Sequence, residues 1–226
     1  MSKTFIDIHS HKKNDNLNVV QILNDDTFLF NDFSFYKNSF YCSGFHPYLL
    51  KNNIQPSIVK KHINNLTKNQ LLAIGEIGLD RSLKNDFEIQ SKIFNDFLEL
   101  AKHKSLPVFI HCVRAYSDML HLIKNINFQD PLILHDFRGN IQEINQLTRS
   151  PFDFYFSISP SFLKKNDNRK IFEQIPADKL FFESDDTQSP IEIIYQDFSN
   201  RFQMNLDSLR YQHVQNFNRL FPHICL

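Results

Sequence analysis

Four glycines are all that these 226 residues contain, and there is no tryptophan. Gly44, Gly75, Gly78 and Gly139 fall in "CSGFHP", "AIGEIGLD" and "HDFRGN", beside His, Glu, Asp or Arg. Glycine permits positive φ and close backbone approach. A chain this poor in it has placed it where tight loops and polar chemistry coincide. Cysteine is scarce as well. Cys42, Cys112 and Cys225 make an odd number without framework spacing, which predicts reduced thiols rather than bridges. No stretch approaches the roughly 20 apolar residues that span a bilayer, so no membrane partner is expected. The N-terminus lacks the basic segment, apolar core and cleavage site of a signal peptide, and the expected location is the cytoplasm. Net charge is absent too, with Lys+Arg and Asp+Glu at 25 each. A protein that coats nucleic acid by electrostatics alone is normally basic, so any grip on phosphate must be local. Low-complexity tracts, fixed-period repeats and Pro/Gly/Ser-rich linkers are also missing.

What remains is an ordinary globular composition, 42% hydrophobic and 22% charged, and a length suited to one domain over 1–226. Eight short apolar runs recur: "FIDIH" (5–9), "NVVQIL" (18–23), "FYCSGF" (40–45), "QLLAIGE" (70–76), "LPVFIH" (106–111), "PLILH" (131–135), "FDFYFSI" (152–158) and "KLFFES" (179–184). Several are nearly continuous, as expected of parallel strands buried on both faces. Helical periodicity lies between most of them, over 56–66, 86–103, 116–125, 141–147, 169–174, 191–202 and 206–221. Asn85 and Glu88 look like a capping pair at the start of the longest. Strand and helix in alternation predict an α/β fold, a (β/α)8 TIM-type barrel. Its N-terminal third is shortened: there is no room for a helix between His11 and Val19, and 24–39 is too aromatic and irregular to assign one.

Function in such barrels sits at the carboxyl ends of the strands. Here those ends deliver His9 and His11, then His46, Glu76, His111, His135 and Asp185. The remaining histidines, His62, His103, His121, His213 and His223, fall in helical or terminal stretches and read as surface residues. Imidazoles together with carboxylates suit Zn²⁺, Mn²⁺ or Fe²⁺, and a carboxylate-heavy subset tolerates Mg²⁺. Without His46, four histidines with Glu76 and Asp185 make six ligands, which exceed what one ion takes while keeping a position open for water, whereas two ions bridged by a carboxylate use them all. Each histidine taken singly could equally be a satisfied core residue.

"IDIHSH", "SGFHP", "AIGEIGLD", "FIHC", "ILHDFRG" and "FFESDD" appear in the order of motifs in the TatD family of metal-dependent deoxyribonucleases, a branch of the amidohydrolase superfamily, and "QNFNRLF" resembles that family's closing helix. The resemblance implies two divalent ions (Mg, Mn or Zn). His9, His11 and Asp185 would hold one, His111 and His135 the other, with Glu76 as the bridge. It also implies phosphodiester hydrolysis of nucleic acid, single-stranded DNA, by metal-activated water with Asp185 as general base. No obligate protein partner is implied. His46 sits where the family contacts substrate phosphate, though a loop cap before Pro47 explains it as well.

The chain departs from the family pattern at several points. Val113 stands where the family has arginine, with Arg114 one residue later. Arg81 replaces an aromatic, and the loop after Asp185 is short. Arg81, Arg114 and Arg138 could supply phosphate contacts or be structural ion-pair residues. Two other functions stay open: an ester or amide hydrolase of the same superfamily, such as an aminoacyl-RNA deacylase, and a barrel that binds without catalysing.

Overall fold

The computed structural model describes residues 4–24, 38–52, 54–66, 71–164, 168–224 and 226. Its strands are β1 (Phe5–Ser10), β2 (Val19–Asn24), β3 (Ser39–Ser43), β4 (Leu71–Asp80), β5 (Val108–Val113), β6 (Leu132–Leu134), β7 (Phe154–Ile158) and β8 (Leu180–Phe182). They form one sheet in sequence order, and every neighbouring pair is parallel. The ends meet at Asp185, whose N–H donates to the His9 carbonyl (3.0 Å) and whose carbonyl accepts from the His11 N–H (3.0 Å). The (β/α)8 barrel expected from the sequence is therefore the fold, and its closing bonds join three of the candidate ligands, His9, His11 and Asp185.

Helices α1 (Pro56–Asn65), α2 (Phe87–Lys104), α3 (Tyr116–Ile126), α4 (Ile141–Thr148), α5 (Pro160–Leu163), α6 (Asn168–Phe172), α7 (Ile191–Phe202) and α8 (Leu206–Leu220) complete the alternation. No helix lies between β1 and β2. Most of the irregular stretch that follows, 25–37, lies outside the described residues. Two short 3₁₀ segments (Pro47–Asn52 and Ala177–Lys179) and α5 were not apparent from periodicity, being too short to show it.

The core has two layers. Ile6, Ile22, Phe109, Ile133, Tyr155 and Phe181 cluster with Phe217 and Leu220 of α8. Asn216 of α8 donates to the Ala177 and Leu180 carbonyls (2.9 Å each), so the helix lies across the start of β8, at the end of the barrel away from the ligands. The other layer packs the strands against α1–α4 and α7 through residues such as Val59, Phe97, Met119, Ile144 and Phe198.

Three expectations need correction. β4 runs to Asp80 rather than ending at Glu76, because glycine at 78 allows it to pair closely with β5. Gly78 is in register with His111, and a Cβ there would stand 1.8 Å from the His111 carbonyl oxygen. The cap of α2 is Asp86, whose carboxylate accepts from the Glu88 and Ile89 N–H groups; Asn85 instead donates to the Pro47 carbonyl (2.9 Å) and accepts from Gln90 (2.7 Å). His213 is buried, 1% exposed, while His103, His121 and His223 are exposed as expected and His62 is partly so. In α8, His213 follows Leu209 by four residues and precedes Phe217 by four, which puts it on the buried stripe.

Candidate metal centre

Each donor is presented by a strand or by the turn that leaves it. His9 ends a buried run on β1 and is fully buried; His11 follows at the strand's exit. Glu76 lies inside β4, where the register with β5 shifts between Ile74 and Ile77. Such an irregularity re-aims a side chain, and the Glu76 carboxylate, 4% exposed, enters the barrel mouth. His111 belongs to β5, His135 follows β6, and Asp185 follows β8.

All six converge. Glu76 Oε1 lies 2.7 Å from His9 Nε2 and 3.2 Å from His11 Nε2, and Glu76 Oε2 lies 3.1 Å from His135 Nε2. Asp185 Oδ1 is 3.4 Å from His11 Nε2 and 3.9 Å from His9 Nε2. His111 Nδ1 is 3.3 Å from His135 Nε2. His46 joins them, with Nε2 3.5 Å from Glu76 Oε2 and its ring centroid 4.3 Å from that of His111. Its Nδ1 accepts the Tyr48 N–H (3.0 Å), so the loop-cap explanation holds as well.

The electrostatics follow from burial and from these contacts. Burial would raise the Glu76 carboxyl, but the charges of His135 and His9 and bonds from His11 and His135 outweigh it and hold the group well below the usual range. Burial likewise opposes ionisation of Asp185, and the bond from His11 with the charges of His135 and His9 lowers it. His135 responds in the opposite sense. Burial disfavours its cation, but Glu76 and Glu183 prevail and raise it well above the ordinary value.

Three contributors were not singled out in the sequence. Asp80 Oδ2 lies 3.1 Å from His111 Nε2. Burial opposes its charge, but bonds from His111 and Ser82 hold the carboxyl far below its usual range. Glu183, fully buried, accepts the Asp136 N–H (2.5 Å) and the Ser157 hydroxyl, and burial raises its carboxyl. Asn24 donates to Glu76 Oε1 at 3.1 Å. Asp80 and Glu183 do lie inside the quoted motifs, but their partners depend on how the strands are registered.

The donor set fits a divalent metal. His9, His11, Glu76 and Asp185 form one group whose ligand atoms lie within 4.8 Å of one another; His46, Glu76 and His111 form a second, and His135, Glu183 and Asp185 a third. Ligands about 2.0–2.2 Å from a common ion stand roughly 3–4 Å apart, and most of the measured separations are of that size.

Beside the centre lies a cavity of about 540 Å³, lined among others by Asp80, His111, Arg114, His135 and Arg138. Arg114 is exposed there with φ 54°, and Arg138 pairs with Asp136 at the rim. Arg81 is engaged elsewhere: it makes a two-pronged ion pair with Asp118 (2.9–3.2 Å) and stacks 3.9 Å from the Phe87 ring centroid.

Comparison with known proteins agrees with this architecture. The human "Deoxyribonuclease TATDN3" is 30% identical over 123 residues, 52% of this chain and 44% of that protein. The "3'-5' ssDNA/RNA exonuclease TatD" of Erwinia tasmaniensis is 34% identical over 119 residues, 51% of this chain and 46% of that protein. The chain thus spans about half the length of the curated relatives it matches. A hydrolase TatD family protein from Entamoeba histolytica superposes with a TM-score of 0.80 at 19% identity, over 97% of this chain and 98% of that one, a likeness of fold. The family model described as "TatD related DNase" matches residues 29–222. With that match covering most of its length, this chain belongs to the TatD family.

Proposed function

We propose that the protein is a metal-dependent phosphodiesterase acting on nucleic acid, with single-stranded DNA as substrate. The observation that carries it is the division of Glu76: one carboxylate oxygen faces His9 and His11, the other faces His46 and His135. A carboxylate shared in this way suits two divalent ions, Mg²⁺, Mn²⁺ or Zn²⁺. His9, His11 and Asp185 would hold the first and His111 and His135 the second, with Glu76 common to both. When bound, such ions polarise phosphoryl oxygens and make water more acidic.

The chain's own residues supply the rest. Asp185, held ionised by His11, accepts the proton of the attacking water at its carboxylate. Its backbone, bonded on both sides to β1, fixes where that oxygen stands. His46, Arg114 and Arg138 border the site and give the phosphate donors, which suits a chain whose formal charge is zero overall. Cys42 and Cys112 form no disulfide among the described residues, which suits a reducing compartment, the cytoplasm.

The test is a labelled single-stranded oligonucleotide and a nitrophenyl ester, each incubated with EDTA, Mg²⁺, Mn²⁺ or Zn²⁺. DNA cleavage that needs metal, and that Glu76→Ala reduces to the level seen in EDTA, is the expected result. Ester turnover without DNA cleavage, or full activity in Glu76→Ala, refutes the proposal.

A further inference from the structure

We infer that Asp80 is a positioning residue that holds His111 as its Nε2–H tautomer and so presents His111 Nδ1 to the metal centre. This rests on the metal reading given above and assigns a task to a residue outside the ligand set.

Asp80 is the last residue of β4 and 6% exposed. One carboxylate oxygen is fully engaged: Oδ1 accepts the Ser82 N–H (2.7 Å) and the Ser82 hydroxyl (2.6 Å). The other, Oδ2, faces His111 Nε2 at 3.1 Å. The backbone is clamped too, since the Asp80 N–H donates to Gln90 Oε1 (2.8 Å) and Gln90 Nε2 donates to the Asp80 carbonyl (3.1 Å). Gln90 comes from α2 and is 2% exposed. A buried amide therefore sets where β4 ends, and a serine turn sets which way the carboxylate points.

An ionised carboxylate only accepts hydrogen bonds, so the imidazole nitrogen facing it carries the proton. In a neutral ring the lone pair is then on Nδ1. That atom lies 3.3 Å from His135 Nε2, which is itself 3.1 Å from Glu76 Oε2. His135 Nε2 thus stands at ligand spacing from both His111 Nδ1 and Glu76 Oε2. His9 differs in this respect, its Nδ1 being buried without a hydrogen-bond partner among the described residues, and His135 Nδ1 meets a carboxylate oxygen, that of Glu183, only at 3.8 Å. His9 and His135 are also the more buried rings, whereas His111 is only half-buried. His111 is the ring with a carboxylate close behind it, at 3.1 Å. Partners of this kind fix both tautomer and ring orientation, and their loss weakens metal affinity about 10–100-fold.

Two measurements test it. Mn²⁺ binding to the wild type, Asp80→Ala and Asp80→Asn is followed by electron paramagnetic resonance together with thermal stability. Imidazole ¹⁵N shifts of the metal-free wild type and variants report the His111 tautomer, with His111→Gln used for assignment. The wild type should bind two ions and show His111 protonated at Nε2. Asp80→Ala should weaken one ion about 10–100-fold, leave the other unchanged and mix the tautomers. Asp80→Asn, which keeps an acceptor without charge, should retain the tautomer with a smaller loss. If Asp80→Ala does not fold, Asp80→Asn and the wild-type tautomer still decide. His111 protonated at Nδ1 in the wild type, or unaltered affinity for both ions in the variants, overturns the role of Asp80 while leaving the two-metal centre standing. A wild type that binds no Mn²⁺ overturns the metal reading and this assignment with it.

Discussion

One buried histidine, on the far side of the barrel from the candidate metal centre, should cost the fold stability as the pH is lowered. His213 is 1% exposed and packed beside Phe182, Phe181 and Tyr195, with ring centroids 4.6–5.8 Å away. Its Nδ1 is 2.6 Å from the Tyr195 hydroxyl, which also bonds the Ile6 N–H and carbonyl. Its Nε2 is buried without a hydrogen-bond partner among the described residues, and burial pushes the imidazole down to about 3. In the unfolded chain it titrates near 6.5. The unfolded state therefore takes up the proton first, so the stabilising effect is complete above about pH 6.5 and is lost as the pH falls toward 3. Between pH 7 and 4.5 the loss is about 2.5 kcal/mol, and in full it approaches about 5 kcal/mol.

Asp7 works in the other direction. Burial raises its carboxyl to about 7, despite bonds from Ser184, so the fold binds that proton more readily than the unfolded chain does and gains stability over the same range. Comparing the wild type with His213→Gln cancels Asp7 and every other shared group. Urea unfolding at pH 7 and 4.5, in EDTA to keep metal linkage out, should show the wild type losing about 2.5 kcal/mol more than the variant. Parallel losses would mean that His213 becomes charged inside the fold at little cost, and the burial argument would be wrong.

Gly78→Ala should destabilise by about 3 kcal/mol, seen as a Tm lower by about 6–12 °C, because its Cβ would meet the His111 backbone at 1.8 Å. A change under about 1 kcal/mol would show that β4 and β5 separate easily. Arg138→Ala should raise KM for single-stranded DNA about 10-fold through a lost charge-assisted contact, because Arg138 lines the cavity, while Arg81→Ala, outside that lining and paired with Asp118, should leave KM unchanged. Equal effects in both would refute the assignment of the cavity arginines.

How far the sequence foretold these features depends on whether the determining contact is local. The strands were legible because each is a short apolar run, and in a barrel their exits share one rim. A rule stated along the chain, an apolar run followed by a donor, thus becomes a cluster in space. β4 escaped in part because Gly78 and Gly75 weaken a strand by propensity, and only the pairing with β5 and its bulge explain why it continues. Asn85 and Asp86 are equally good caps by residue type, and the Pro47 and Gln90 contacts that engage Asn85 leave the cap of α2 to Asp86. His213 did carry a local signal, its spacing from Leu209 and Phe217, which outweighs the polarity of the side chain. Asp80 and Glu183 carried none, since what distinguishes them is a partner on another strand.

His46 shows the same logic at the level of a single ring. Its Nδ1 accepts the Tyr48 N–H, so in the neutral ring the proton must sit on Nε2, the atom 3.5 Å from Glu76 Oε2. His111, with a centroid 4.3 Å away, is held the opposite way round and offers a lone pair. Two adjacent imidazoles thus differ in what they present to the centre, one a donor hydrogen and the other a ligand nitrogen. A donor hydrogen beside the candidate metal site suits a phosphate oxygen, which is the substrate role proposed above for His46. His46→Ala should then leave Mn²⁺ stoichiometry and affinity unchanged and raise KM for single-stranded DNA by about 10-fold or more, the cost of one hydrogen bond to a charged group. Loss of a bound ion in that variant, with KM for DNA unmoved once metal is saturating, would place His46 among the ligands and reverse the assignment.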